Sequence, residues 1–321
     1  MQKRILILDL DTPVYSAAAA IERRSVLVTH IPTEKQKEFK TRTEFKERLK
    51  EKGISDRLHE YSFEDIQRPE PLENGCHILK SMINRIEASV QAEETQFFIS
   101  GKNNFRDYLE LPTRYKSGRS EMIRPVLLKD IKSFAINKYK AELCDGEEPD
   151  DRIIHRSYEL KSKGHIPIIA SIDKDSLAYS GLLLFNQDKP ERGILEIPQL
   201  GSLWLDSKNK VKGNGFLWYC HQMLIGDATD SYKPTELCGV SFGEKSSFKL
   251  LKDCKTEAEA MSCVLKQYEK WYNSPVTYIA WDGKEYTKSW FDIAQLYHKA
   301  VRMKETKNDP LDLAEFITRL K

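Results

Sequence analysis

With 321 residues, 40% hydrophobic and 31% charged, the chain carries enough apolar material for a large core, and its length favours two domains or one elaborated domain. No stretch approaches the roughly 18 apolar residues of a membrane span, and the apolar run after Lys3 and Arg4 is too short for a secretory signal, so a soluble cytoplasmic protein without membrane contact is expected. A net charge of +2 does not by itself point to nucleic acid, and Cys76, Cys144, Cys220, Cys238, Cys254 and Cys263 form no CxxC pair, which argues against zinc and disulfide frameworks.

In chain order, Arg4 to Asp11 reads as a buried strand ending in acids, followed by a helix from about Pro13 to Glu22. Ser25 to His30 reads as a short strand. Pro32 to Lys52 is charged with little apolar periodicity and is expected to be a surface excursion. Glu60 to Asn74, with prolines near its end, is expected to be a linking loop. Helix resumes at about Gly75 with a stripe of Ile78, Leu79, Met82, Ile83, Ile86 and Val90, and Thr95 to Ser100 is a second buried strand. Asn103 to Arg119 interleaves Phe105, Tyr108 and Tyr115 with Arg106, Arg114, Lys116 and Arg119, a pattern that suits a flexible phosphate-facing segment.

Pro125 to Tyr139 is an amphipathic helix, Ala141 to Cys144 a strand, and Arg152 to Lys163 a helix ended by Gly164. Pro167 to Ala170 is another buried strand, opening into Asp173 and Asp175. Short strand-like pieces follow to Gly215, then a helix over Phe216 to Leu224. Beyond GDATD, Gly239 and Gly243 flank a tight turn before a helix whose first turn carries Lys245, Ser246 and Ser247, a place where exposed amides and a lysine can hold a backbone phosphate. Glu257 to Leu320 reads as helical, with an aromatic-rich interval from Tyr268 to Trp290.

The signal lies in the acids. Asp9 with Asp11, then Glu148, Asp150 and Asp151, then Asp173 and Asp175, then Asp227 and Asp230 each adjoin an apolar segment. In an open α/β sheet, strand ends of this kind converge on one ligand site. Asp after a strand, or in the first turn of a helix, is also ordinary turn and capping chemistry, so no single pair decides the matter. Charge is distributed to match: Lys102 to Lys140 carries ten bases against four acids, and Glu142 to Asp151 six acids and no base. Cations that hold phosphates beside carboxylates that hold metal suit a metal-dependent enzyme acting on a polyanion.

These pieces resemble, in order, the phage-type 5′-to-3′ exonucleases of the structure-specific 5′-nuclease and flap endonuclease superfamily: ILILDLD with Asp9; FRDYLELPTRYKSGR with Tyr115, Lys116 and Arg119; EPDD; SIDKD; GDATD; and GVSFGEKSS as a helix-three-turn-helix DNA clamp. The resemblance implies an α/β, PIN-like core with a mostly parallel sheet flanked by helices, spanning 1–215, with an insertion at about 25–74 and a basic helical arch at about 102–140. A helical clamp region over 216–321 would pack on it. It also implies two Mg²⁺ ions, replaceable by Mn²⁺, held by Asp9, Glu148, Asp150, Asp151, Asp173, Asp175, Asp227 and Asp230. Tyr115, Lys116 and Arg119 would act at the scissile phosphate. Arg106, Arg114, Lys116, Arg119, Gly239, Gly243, Lys245 and Ser246 would bind DNA. The implied partners are duplex ends, 5′ flaps and RNA–DNA hybrids, in replication, recombination or repair in a bacterial or phage-infected cytoplasm.

Three departures stand out: Ser100 and Gly101 sit where the family carries an acid, Gly239 and Gly243 are spaced more widely than in its clamp, and 25–74 has no counterpart. Two other readings compete. LDLDTPVY also resembles the opening motif of haloacid-dehalogenase phosphatases, with Asp9 as nucleophile, but that leaves EPDD, DKD and YKSGR unexplained. A non-catalytic nucleic-acid-binding module would gain nothing from so many carboxylates.

Overall fold

The computed structural model describes residues 2–119 and 122–320. In chain order the elements are β1 (Arg4–Asp9), α1 (Asp11–Ala20), β2 (Glu22–His30), β3 (Lys35–Phe39), α2 (Arg42–Glu51), β4 (Tyr61–Pro69), α3 (Leu72–Val90), β5 (Glu94–Ser100), α4 (Leu128–Tyr139) and β6 (Glu142–Cys144). They continue with α5 (Pro149–Ser162), β7 (Ile166–Ala170), β8 (Leu183–Phe185), β9 (Ile194–Glu196), β10 (Ser202–Leu205), β11 (Val211–Asn214), α6 (Gly215–Ile225) and α7 (Glu244–Leu251). The last are α8 (Glu257–Trp271), β12 (Val276–Ile279), β13 (Glu285–Lys288), α9 (Trp290–Val301) and α10 (Leu313–Arg319). The chain divides into two compact units, one of Met1–Leu10, Arg85–Met122 and Ala141–Lys321, the other of Asp11–Asn84 and Ile123–Lys140.

The first unit is α/β, built on a six-stranded sheet in the order β6-β5-β1-β7-β8-β9. All neighbours pair parallel except β8 and β9. Parallel sheets are buried on both faces, which is why β1 and β7 are apolar runs rather than alternating ones: Leu6, Ile7, Leu8, Ile168 and Ile169 are all fully buried. Helix α5 packs on β7, β1 and β5, with Ile153, Ile154 and Leu160 in the core. Helix α6 is largely apolar and buried from Gly215 to Leu224, with His221 and Gln222 among its buried residues. It is wrapped by α7, α8, α9 and the β10–β11 hairpin, and is tied to them by Tyr219 Oη with His298 Nδ1 at 2.6 Å and by Tyr268 Oη donating to Met223 O at 2.6 Å.

The second unit corrects two expectations. Pro32 to Lys52 is no mere excursion: it forms β3 and α2, and β2 pairs antiparallel with both β3 and β4. Glu60 to Asn74 is likewise not a loop, since β4 pairs with β2 over its whole length and α3 starts at Leu72. The reason is a small core of its own, Val26, Val28, Phe39, Phe45 and Leu49, in which the Phe45 ring meets Phe39, Tyr61 and Phe63 at 5.1, 4.9 and 5.6 Å. A few aromatics carry this core, so the charged residues between them mask its period. In the first unit, the Tyr268 to Trp290 interval is not continuously helical; β12 and β13 form a hairpin there.

Backbone crosses backbone where the β10–β11 hairpin returns to α6. Gly201 (φ +72°) lies so close to this crossing that a Cβ would stand 1.9 Å from Asn214 O. Gly53 (φ +68°), just past the end of α2, also has a positive φ but faces open space. Gly201→Ala is expected to lower stability by at least about 2 kcal/mol, and Gly53→Ala by only about 1, because the second suffers conformational strain without a clash. Urea unfolding midpoints of the two variants check this.

Candidate functional site

The parallel order brings the carboxyl ends of β6, β5, β1 and β7 to one edge of the sheet. Asp9 is the last residue of β1. Beside it β7 ends at Ala170, paired with Leu8, and releases the loop that carries Asp173 and Asp175. There Asp173 Oδ1 accepts the Asp175 N–H at 2.9 Å, and the Asp173 N–H donates to Ser171 Oγ at 3.0 Å, so turn chemistry holds the loop as well. After β6 the chain delivers Glu148 and Asp150 at the start of α5, where Pro149 is the first helical residue. Asp227 and Asp230 come from the loop after α6, closed by a bridge between Asp227 and Tyr232.

Electrostatics sorts these acids into two groups. The Asp150 carboxyl is pushed far above its ordinary range by burial and then by the charges of Asp173, Asp9 and Glu148. Asp175 is pushed up to about 7 by burial and by Asp173, with Asp227 and Asp230 adding to it against the pull of Lys174. Asp173 belongs to both groups.

Three cations sit among them. Lys116 Nζ donates to Glu148 Oε1 and lies 3.9 Å from Asp230 Oδ1, Arg119 Nη2 donates to Asp230 Oδ1 at 2.8 Å, and Lys174 Nζ is 2.7 Å from Asp227 Oδ2. Segment 115–119 is docked rather than hanging free: the Lys116 N–H donates to Asp230 O at 2.8 Å, with Lys116 itself at φ +55°. The expectation of a loose segment over 103–119 is therefore corrected, since Arg106, Leu109, Leu111 and Tyr115 are all buried. Tyr115 Oη lies 3.0 Å from Glu148 Oε2 and 2.9 Å from Asp230 Oδ2. One hydroxyl proton cannot serve both oxygens. Burial raises Asp230 against the pull of Lys116, whereas for Glu148 the opposing charges of Arg106 and Lys116 outweigh burial and keep it low.

Two residues assigned separate roles from the sequence, Arg106 to DNA and Asp151 to metal, turn out to be each other's partners. Arg106 and Asp151 form a buried pair, with Nη1 and Nη2 at 2.5 and 3.0 Å from the two carboxylate oxygens. The other guanidinium donors go to Ala300 O, Arg302 O and Glu148 Oε2. Asp151 also accepts from the Glu148 and Lys304 N–H groups. With its lone pairs filled, Asp151 is not presented to a metal, and Arg106 is not presented to a phosphate. Burial likewise keeps Tyr115 from a substrate. Arg114 is exposed, its guanidinium 5.0 Å from the Trp281 ring.

Gly239, at φ +64°, and Gly243, the residue capping α7, are exposed, as are Lys245 and Ser246 in the first turn of α7. A line of contacts joins this turn to the acids: the Trp218 Nε1–H donates to Lys174 O at 2.9 Å, Trp218 and His221 stack at 5.1 Å, and His221 Nδ1 meets Ser247 Oγ at 2.9 Å. Gln222 completes it, its Nε2–H donating to Asp175 Oδ1. Sequence reading missed Trp218, Gln222 and the Lys174 pairing; the spacing of Trp218 and Gln222, four apart on one helix face, was the available signal. Gly101 has no room for an acid, because a Cβ there would lie 2.6 Å from the backbone Cys144 O as well as 2.2 Å from Asp145 Oδ1.

Among the described residues no three His, Cys, Asp or Glu side chains form a ready-made metal cage. The donors are nonetheless hard oxygens crowded enough to raise one another's proton affinity, which is a chemistry that a divalent ion satisfies. No family model and no curated protein matches the chain. Among solved structures it is similar to a pseudo-enzyme-product complex of the bacteriophage T5 D15 flap endonuclease with DNA and metal ions, at 12% identity and a TM-score of 0.44 over 99% of this chain and 98% of that one. It is also similar to the T5 D15 protein co-crystallised with metal ions, at 12% identity and 0.43 over 83% and 79%, and to a T5 5′-exonuclease variant, at 12% identity and 0.37 over 94% and 98%.

Arg106→Met should cost about 3–5 kcal/mol by stranding the Asp151 charge, and adding Asp151→Leu should recover at least half of that; thermal denaturation in EDTA checks both. Asp175 has its folded pKa above the unfolded value of 3.8, so its contribution is present at low pH and is lost as pH rises to about 7. In metal-free buffer Asp175→Asn is therefore expected to exceed the wild type in stability at pH 8, on the order of 2–4 kcal/mol, and to match it near pH 3.5. Urea titrations at the two pH values test this.

Proposed function

We propose that the chain is a divalent-metal-dependent nuclease of the 5′-nuclease superfamily that hydrolyses DNA from 5′ ends or at 5′ flaps. The observation that carries this reading is the meeting, at one strand edge, of Asp9, Glu148, Asp150, Asp173, Asp175, Asp227 and Asp230 with the cations of the 115–119 segment. Asp9, Glu148, Asp150 and Asp173 would hold one Mg²⁺ and Asp175, Asp227 and Asp230 the second. When bound, two such ions supply a nucleophilic water at neutral pH and stabilise the charge on the leaving oxygen.

The chain's own residues account for the rest. Lys116 and Arg119, now paired with Glu148 and Asp230, carry positive charge that a phosphate would meet once metal takes over those carboxylates. Tyr115 and Arg106 orient Glu148 from behind, which makes them positioning groups. The α7 turn, with Gly239, Gly243, Lys245 and Ser246, would grip the DNA backbone some distance from the cut. An RNA–DNA hybrid fits the same chemistry.

With 5′-labelled duplex DNA and Mg²⁺, the expected products are labelled mononucleotides or short oligonucleotides. Lys116→Ala with Arg119→Ala should slow their release by roughly 10², about 3 kcal/mol of transition-state stabilisation. Calorimetric Mn²⁺ binding should survive in that double variant and fail in Asp173→Asn. Release of inorganic phosphate alone, unchanged in the double variant, would replace this reading with a phosphatase.

A further inference from the structure

The β10–β11 hairpin carries an exposed tryptophan that the proposed active site does not use. In its antiparallel register Leu203 faces Gly213 and Leu205 faces Val211, whereas Trp204 faces Lys212. Residues directly opposite share a face and successive residues alternate. Leu203 and Val211 are buried, so they mark the inner side; Trp204, 45% exposed, and Lys212 mark the outer.

The charge around that ring is one-sided. Lys208, Lys210 and Lys212 are exposed, and none has an ion-pair partner among the described residues. The one acid of the turn, Asp206, accepts the backbone N–H groups of Lys208 and Lys210, both at 2.9 Å from Oδ1, and its single charge, felt by Lys208 and Lys212, offsets only one of the three lysines. On the adjoining side, the Val211 N–H donates to Glu244 Oε2 at 3.2 Å. That contact sets the hairpin beside the first turn of α7 and takes up the acid there, leaving Lys245 exposed next to it. On its inner side β11 packs against the 3-10 turn Asp175–Ala178, which begins at one of the clustered acids.

We propose that this outer face is a binding platform for single-stranded DNA, with Trp204 stacking on a base and Lys208, Lys210 and Lys212 following the backbone. The exposed indole presents a flat ring on which a base can stack, and the surrounding lysines, without ion-pair partners among the described residues, favour a polyanion over a protein surface of mixed charge. Stacking needs a free base face, which a single strand offers and a duplex hides. The proposal rests on the nuclease reading only for the origin of the strand, an unpaired stretch of the substrate; binding is independent of cleavage.

The test is fluorescence anisotropy in EDTA, where no cleavage occurs, with a labelled oligo-dT of about 12 nucleotides and a blunt duplex as probes. Trp204→Ala is expected to weaken oligo-dT binding roughly tenfold and duplex binding less than about twofold, while Trp204→Phe stays near the wild type. Replacing all three lysines by alanine should reduce the magnitude of the single-strand slope of log K against log salt by about 2. Wild-type-like oligo-dT binding by Trp204→Ala, equal losses on both probes, or no oligo-dT binding by the wild type would each overturn the proposal. A protein that binds oligo-dT through Trp204 but cuts no DNA would retain the platform and remove the nuclease. Normal cutting with no Trp204 effect would do the reverse.

Discussion

The constraint on which the site depends is the mutual repulsion of carboxylates at the end of a parallel sheet. Two like charges 4–5 Å apart cost on the order of 3–4 kcal/mol each time, at the effective dielectric of a partly buried site. The chain meets this cost in two ways. Burial and crowding drive Asp150 and Asp175 toward their protonated forms. Lys116, Arg119 and Lys174 neutralise the acids that stay ionised. These cations come from the segment after β5 and from between the two aspartates themselves, so the segment that reads as phosphate-facing in sequence supplies counter-ions in the fold, and so does the lysine inside the DKD acid pair.

Behind the acids the Arg106–Asp151 pair performs a separate task. By spending its donors on Asp151, Glu148, Ala300 O and Arg302 O, Arg106 fastens the start of α5 to the chain that leaves α9. Breaking such a pair on one side is costly because the remaining charge cannot reach water. Glu148 thus has one oxygen held from the protein side and the other turned toward Lys116 and the acid cluster. Rigidity at this point is what keeps a carboxylate aimed while the charges around it change.

Much of the first unit was legible because its signals are strong and local. RILILD and PIIA are apolar runs that only a doubly covered strand explains, and an aspartate just past each marks the sheet edge. The division of labour among the acids was not legible. Asp150 and Asp151 are adjacent in sequence and chemically identical, yet helix geometry turns one toward Asp9 and Asp173 and the other toward Arg106. Similarly, a basic residue among aromatics looks the same whether it meets solvent or, as Arg106 does, a carboxylate brought from 45 residues away. The second unit was hidden for another reason: Phe39, Phe45 and Leu49 carry its core with charged residues between them, so no period emerged.

The contacts that run from Lys174 through Trp218 and His221 to Ser247 are all made by one buried helix, α6, at both ends. A linkage through packed rings and a helix interior is stiff, whereas a loop of equal span would let its ends wander. If the acids cut and α7 grips the backbone, the distance between grip and cut is a fixed length of polynucleotide. Product size would then be measured by the protein as a ruler measures, independent of base sequence, and a lengthened or kinked α6 would change where the cut falls while the chemistry at the acids stayed the same.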